Sequence, residues 1–357
     1  MRFGGLIVND IIKENENIIT EEKVIPQKKP DPRSKLVKPV RTLILNSSPH
    51  LHTSKSVHKI MWSVIIALIP VMAMSFYYFG VRAGLMILTC VVATLSTELV
   101  MNFMKREKIT ISDGSAIITG ILLALTLPPT FRLSSAVLGA VVAISLGKHI
   151  FGGLGYNIFN PALLGRAFLQ ASFPVAMTTW SNPITLKYSA IDAVSTATPL
   201  GAFKFEKILT DYSDLFFGNI GGSLGETSAI AILIGGIFLL ILKNADWRIP
   251  LSFIGSVFLL GSIFWLFNPN QYPDPIFHLL SGGLLFGAFF MATDMVTSPI
   301  TPKGGWIFGA GAGILVIIIR LFGGLPEGVM FSILLMNGVT PLINRYTRPR
   351  IFGESRK

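Results

Sequence analysis

Phe151-Gly-Gly-Leu154 recurs as Phe322-Gly-Gly-Leu325, 171 residues further along the chain. At that same offset, without a gap, Leu127-Pro-Pro-Thr130 falls on Ser298-Pro-Ile-Thr301, so Pro128 meets Pro299 and Thr130 meets Thr301. Leu163-Leu164 falls on Leu334-Leu335, and His149 on Arg320. A single tetrapeptide can recur by chance. Prolines, leucines and a basic position sharing one register point instead to a duplicated unit.

The stretches between these landmarks are apolar. The chain of 357 residues is 51% hydrophobic and 14% charged, where soluble domains carry about 25% charged residues. Repeated apolar runs near twenty residues read as a polytopic, all-α membrane protein. Ten spans are expected: about 60–80, 83–104, 114–127, 134–147, 157–177, 228–242, 250–267, 275–297, 306–321 and 328–343. The third ends at Pro128-Pro129 after roughly 21 Å of helix at about 1.5 Å per residue, short of a ~30 Å core, which suggests a broken or re-entrant element.

The net charge of +11 does not indicate nucleic acid, because the basic residues flank the apolar runs as cytoplasmic loops do. From Arg33 to Lys59 there are six basic residues and no acids; Lys105, Arg106 and Lys108 follow the second span; Arg345, Arg348, Arg350, Arg356 and Lys357 close the chain. Both termini are therefore expected in the cytoplasm. Five crossings then place the loop 178–227 outside, where three lysines face five acids; Arg82 and Arg132 depart from the charge rule. The division is a basic tail 1–58, a first repeat 59–177, the outer loop 178–227, a second repeat 228–344 and a tail 345–357. Matching spans lie five crossings apart. An odd number reverses orientation, so the halves form two inverted five-helix repeats about an axis in the membrane plane, with a site near their junction. Gly152, Gly153, Gly155, Gly309, Gly311 and Gly313 are expected to let helices approach closely.

Metal chemistry has little support. The lone Cys90 lies in an apolar run, the five histidines show no ligand spacing, and His50 and His52 read as solvated tail residues. Ionisable residues inside spans are functional candidates by default. Glu98 in the second span and Asp294 in the eighth lie toward the cytoplasmic side, where carboxylates suit a Na+ or H+ path; the rival reading pairs them with Lys148 or Arg166. Glu327 and Asp113 read as first-turn acids facing a helix dipole. Asn157 and Asn160, three apart, are expected on one helical face.

The motifs Ser47-Ser-Pro-His-Leu-His, Ser112-Asp-Gly-Ser-Ala, Leu127-Pro-Pro-Thr, Phe151-Gly-Gly-Leu-Gly-Tyr-Asn-Ile-Phe-Asn-Pro-Ala, Asp192 through Leu200, Phe290-Met-Ala-Thr-Asp-Met-Val-Thr-Ser-Pro and Pro326-Glu-Gly-Val-Met-Phe-Ser-Ile-Leu-Leu-Met-Asn occur in this order. Across about residues 43–345 the chain resembles the family that includes the RnfD protein of the Rnf complex and, more distantly, the NqrB protein of the Na+-pumping NADH:quinone oxidoreductase. The resemblance implies a urea- and ammonium-transporter-like inverted repeat. It also implies FMN held by a phosphoester on the threonine closing Asp-x-x-Ser-x-Ala-Thr, here Thr198, with Asp192, Ser195 and Ala197 completing the motif and Thr196 where glycine is frequent. Without the resemblance, the same string is a Ser/Thr turn before a proline. The loop is polar, so the acceptor hydroxyl is expected to be exposed to a flavin transferase. A second, non-covalent flavin (riboflavin) at Asn157 and Asn160 is a further implication; helix capping is the plainer reading of those asparagines.

The implied function is that of a membrane electron carrier in an ion-translocating ferredoxin:NAD+ oxidoreductase, not catalytic alone, with the other Rnf proteins (RnfA, RnfB, RnfC, RnfE and RnfG) as partners. A component of the quinone-reducing sodium pump and a passive channel are the alternatives.

Overall fold

The computed structural model describes residues 56–106, 110–181, 183 and 195–349. All belong to one compact unit, Ser54–Lys357. The basic amino-terminal tail, His50 and His52, Lys108, Asp192 and the last eight residues lie outside the described residues.

Four helices are long and apolar enough to cross a membrane: α1 (Val57–Phe79), α2 (Val81–Lys105), α10 (Arg248–Phe267) and α13 (Pro302–Phe322). At about 1.5 Å per residue each covers the ~30 Å hydrocarbon core. The chain is thus a helical, multi-pass membrane protein. Ser56 opens α1, its Oγ accepting from Lys59 N at 3.3 Å. Gly80, at φ +63°, is the entire joint between α1 and α2.

The remaining helices are shorter. They are α3 (Ser115–Leu125), α4 (Leu133–Ile144, continued by a π turn over Ser145–His149), α5 (Pro161–Ser172), α6 (Pro174–Thr178), α9 (Ala229–Ile241) and α14 (Val329–Thr347). Nine of the eleven residues of α3 are buried, so this short element lies inside protein rather than against lipid. Its terminal carbonyls are satisfied by another segment: Gly225 N donates to Leu125 O at 2.7 Å, and Leu224 N to Leu127 O at 3.1 Å. Irregular backbone at membrane depth is tolerated only where protein supplies such partners.

Two expected spans are interrupted. The eighth, 275–297, is α11 (Pro275–Leu280), a break at Ser281-Gly282-Gly283, α12 (Leu284–Phe286) and a π turn over Gly287–Met291. Gly282 takes φ +67°, where a Cβ would also lie 2.8 Å from Leu200 Cδ1. The fifth starts at Pro161, not Asn157. Gly152, Gly153 and Gly155 have φ between +95° and +115°, so they bend the chain into the helix instead of packing helices together. It also breaks at Phe173 (φ −131°, ψ 55°), because the residue before Pro174 is driven out of the helical region.

Tight helix packing does hold where α10 meets α13. A Cβ on Gly309 would lie 1.9 Å from Ser252 Oγ and 2.5 Å from Ile249 O, and one on Gly313 1.9 Å from Ser256 Oγ. Gly311 faces Met336 of α14 instead. The long loop carries structure of its own: the strand pair β1 (Trp180–Ser181) and β2 (Ser195–Thr196), antiparallel with Trp180 opposite Thr196, then α7 (Pro199–Glu206) and α8 (Tyr212–Phe217). Tyr212 hydroxyl donates to Asp274 Oδ2, tying α8 to the start of α11.

Candidate functional site

Thr198 is the N-cap of α7. Its Oγ1 accepts from Gly201 N at 3.1 Å, with Pro199 at the first helical position, where its missing N–H costs nothing. The residue is 6% exposed. The hydroxyl is therefore not displayed to bulk solvent as expected, since closing the helix N-terminus turns it inward; Ala197, next to it, is exposed. Thr198 opens instead onto a cavity of about 320 Å³, lined also by Thr196, Ala197, Arg166, Glu226, Arg320 and Glu327. Ser195 sits in β2, opposite Ser181.

The floor of this cavity is a charge network from four elements. Arg166 of α5 donates through Nη1 to Glu226 Oε1 at 3.0 Å and through Nη2 to Glu327 Oε2 at 2.9 Å. Glu226 precedes α9, and Glu327 lies in the connection between α13 and α14. Arg320 of α13 donates to His278 O at 2.6 Å and Ser281 O at 3.0 Å, the open carbonyl end of α11. Nε of Arg166 and Nε of Arg320 are buried and have no hydrogen-bond partner among the described residues, nor does Thr196 Oγ1. Burial, with Glu226 beside it, pushes the Glu327 carboxyl up to about 7 against the opposing pull of Arg166 and Arg320. Glu327 is thus an ion-pair partner rather than a free first-turn acid. None of these four residues stood out as a group in the sequence; the available signal was two arginines and a glutamate beside or within apolar runs.

A second cavity, of about 90 Å³, lies toward the other end of α5. Asn157, Asn160, Pro161, Lys148, Asp294 and Leu154 are among its lining residues. The two asparagines do not share a helical face, because α5 begins only after them. Asn160 is its N-cap, with Oδ1 accepting from Ala162 N at 3.0 Å and Nδ2 donating to Met291 O at 3.3 Å; Asn157 donates to Phe159 O at 3.2 Å. Glu98 lies behind this cavity, fully buried, accepting from Lys148 Nζ at 2.8 Å and Thr110 Oγ1 at 2.7 Å. Lys148 also donates to Ser115 Oγ at 2.6 Å, whose own hydroxyl and backbone N–H bind Asp113. Asp294 makes no ion pair among the described residues; its carboxylate accepts from Thr297 Oγ1 at 3.1 Å and Val296 N at 3.5 Å. Glu98 thus pairs with Lys148 as the rival reading had it, while Arg166 serves other acids.

The model of the NQR2, RnfD, RnfE family matches residues 44–353. The chain is 48% identical over 325 residues to the RnfD-type component of the proton-translocating ferredoxin:NAD+ oxidoreductase complex of Clostridium ljungdahlii, covering 87% of this chain and 96% of that one. It is 44% identical over 319 residues to the corresponding component of the Na+-translocating ferredoxin:NAD+ oxidoreductase complex of Acetobacterium woodii, covering 88% and 96%. Its counterpart in the ion-translocating oxidoreductase complex of Stutzerimonas stutzeri is 42% identical over 329 residues, covering 84% and 93%.

Proposed function

The chain belongs to the NQR2, RnfD, RnfE family, and from that premise we propose that it is the membrane-embedded electron-carrying component of an ion-translocating ferredoxin:NAD+ oxidoreductase, with FMN esterified to Thr198. The observation that carries the cofactor assignment is the placement of Thr198 Oγ1 on the same cavity as two buried guanidiniums whose Nε–H groups lack partners among the described residues. A volume of about 320 Å³ falls in the range of small-molecule sites, about 300–1,000 Å³. The residues present therefore fit a phosphate-bearing ring. Arg166 and Arg320 would offer charge to the phosphate, and Met177, Trp180 and Met330 an apolar wall. Esterified, Oγ1 keeps a lone pair for Gly201 N and so remains the cap of α7. Bound there, the flavin would supply one- and two-electron transfer; the chain holds it in place and excludes bulk water. The test is the intact mass of the mature chain: an FMN-sized increment in the wild type that is missing from Thr198→Ala. A mature wild type with no increment refutes the assignment.

The inverted repeat is part of the same proposal. In its favour, Leu154 of the first Phe-Gly-Gly-Leu lines the cavity at one end of α5, and Leu325 of the second lines the cavity at the other. The bounds of α4 with its π turn, and of α5, fall within those of α13 and α14 at the 171-residue offset. In this reading both termini are cytoplasmic and the Thr198 loop is extracytoplasmic, within reach of a flavin transferase.

Glu98 and Asp294 would line the cytoplasmic part of a Na+ or H+ path, with the Lys148 ammonium held between the Glu98 carboxylate and Ser115. Glu98→Gln and Asp294→Asn are expected to abolish ion uptake into proteoliposomes of the assembled complex while the FMN increment persists. Undiminished pumping in both variants excludes that role. A second flavin at Asn157 and Asn160 would need the cavity of about 90 Å³ to widen.

A further inference from the structure

A third cavity, of about 210 Å³, is lined by Lys204, Lys207, His278 and Arg320, with Leu200, Phe203, Leu321 and Tyr272 among its other walls and no carboxylate. Lys204, Lys207 and Arg320 form no ion pair among the described residues. Their hydrogen bonds go to carbonyls: Lys204 Nζ to Arg320 O at 3.0 Å and to Gly323 O, Lys207 Nζ to Gln271 O at 3.0 Å, and Arg320 to the end of α11. A carbonyl satisfies a donor, yet a helix C-terminus amounts to only about half a negative charge. Arg320 also feels Glu226 and Glu327 from the neighbouring cavity; the two lysines have no such acid. Buried Nε of Arg320 and Nδ1 of His278 lack hydrogen-bond partners among the described residues. The site is cationic, partly dry and short of one anion.

Its depth says which kind of anion. The 21 residues of α13 rise about 31 Å, the thickness of the hydrocarbon core, so Arg320 and Leu321 in its last turn lie at one membrane surface. Phe205 and Ile208, beside the two lysines in sequence, are 72% and 56% exposed, and Phe322 is 64% exposed. Apolar side chains flanking lysines whose stems cover Phe203, with Lys207 Nζ 5.0 Å from that ring, are what an interfacial site presents. Basic pockets between membrane helices take lipid headgroups by this chemistry.

We propose that this cavity is a phosphate site that holds the headgroup of an anionic phospholipid, with Lys204 and Lys207 opposite the phosphodiester and Leu200, Phe203 and Leu321 beside its first carbons. Nothing in this site requires the flavin at Thr198.

The test uses the purified full-length chain in nanodiscs of phosphatidylcholine, with or without phosphatidylglycerol, followed by native mass spectrometry of the released protein. The wild type is expected to retain one phosphatidylglycerol in preference to phosphatidylcholine. Each of Lys204→Gln and Lys207→Gln is expected to weaken retention roughly fivefold. Lys303→Gln, the same charge change at the opposite end of α13, is expected to leave it unchanged. Adding inorganic phosphate to delipidated protein is expected to raise its thermal midpoint no more than chloride of equal ionic strength. Equal retention of both lipids, retention indifferent to Lys207→Gln, or full stabilisation by inorganic phosphate alone each overturns the proposal. Should Lys204→Gln fail to fold through losing its carbonyl contacts, the exposed Lys207 and the two-lipid comparison on the wild type still decide.

Discussion

Arg166 holds two carboxylates with one guanidinium, and its fork geometry is what permits that. Removing one partner of a buried pair costs about 3–5 kcal/mol, because the other charge is left unpaired; here two would be left. The network also titrates. The Glu327 carboxyl is pushed up to about 7 from an ordinary value of 4.5, chiefly by burial. An acid whose folded value exceeds its unfolded one binds its proton more tightly when folded. Its contribution to stability is therefore full below about 4.5 and falls away as pH rises to about 7. Thermal melts of the detergent-solubilised chain should show a midpoint that declines across this window, and Glu327→Gln should flatten the decline. An equal slope in the variant would mean another group is titrating. Thr198 gives the other lesson at this scale. Its motif was readable as a string, but its inward orientation was not, since that depends on Gly201 N and the helix that follows.

At the scale of the element, periodicity and length located α1, α2, α10 and α13 to within a few residues, because a lipid-facing helix must be apolar and long in any context. They could not locate the breaks at Phe173 and Ser281-Gly282-Gly283. An apolar residue buried in irregular backbone looks the same in sequence as one buried in helix, and what satisfies the freed carbonyls, such as Gly225 N on Leu125 O, comes from a distant segment. Glycines divide in the same way: Gly309 and Gly313 are contact points, while Gly152, Gly153 and Gly155 supply positive φ. Gly309→Ala and Gly313→Ala should each destabilise by roughly 1–3 kcal/mol through overpacking against α10. Gly255→Ala, in α10 with open space around the added carbon, should be neutral or gain up to ~1 kcal/mol in helix propensity. Equal effects in all three would refute close contact as the reason for Gly309 and Gly313.

At the scale of the molecule, the two large features stand at opposite ends of α5: the Thr198 cavity with its charge network, and the small cavity carrying Asn160, Asp294 and Lys148. An inverted repeat makes a sharp topological prediction for these ends. In a Cys90→Ser background, Tyr156→Cys, at a residue 72% exposed beside the first Phe-Gly-Gly-Leu, should react with a membrane-impermeant maleimide only from the cytoplasm. Gly324→Cys in the second copy, where an added Cβ meets nothing within 4 Å, should react only from outside. Labelling of both from the same side removes the inversion.

The amino-acid sequence by itself determined that this chain lives in a bilayer, roughly where its long helices run, and to which family it belongs, because hydropathy, charge flanks and ordered motifs are local properties that survive without coordinates. Tertiary structure alone decided that Arg166, Glu226, Arg320 and Glu327 share the cavity with Thr198, that Glu98 pairs with Lys148, and that Asn160 caps a helix. Burial energy depends on which distant charges are brought within about 3 Å of one another, and no spacing along a chain encodes a contact between residues more than a hundred positions apart.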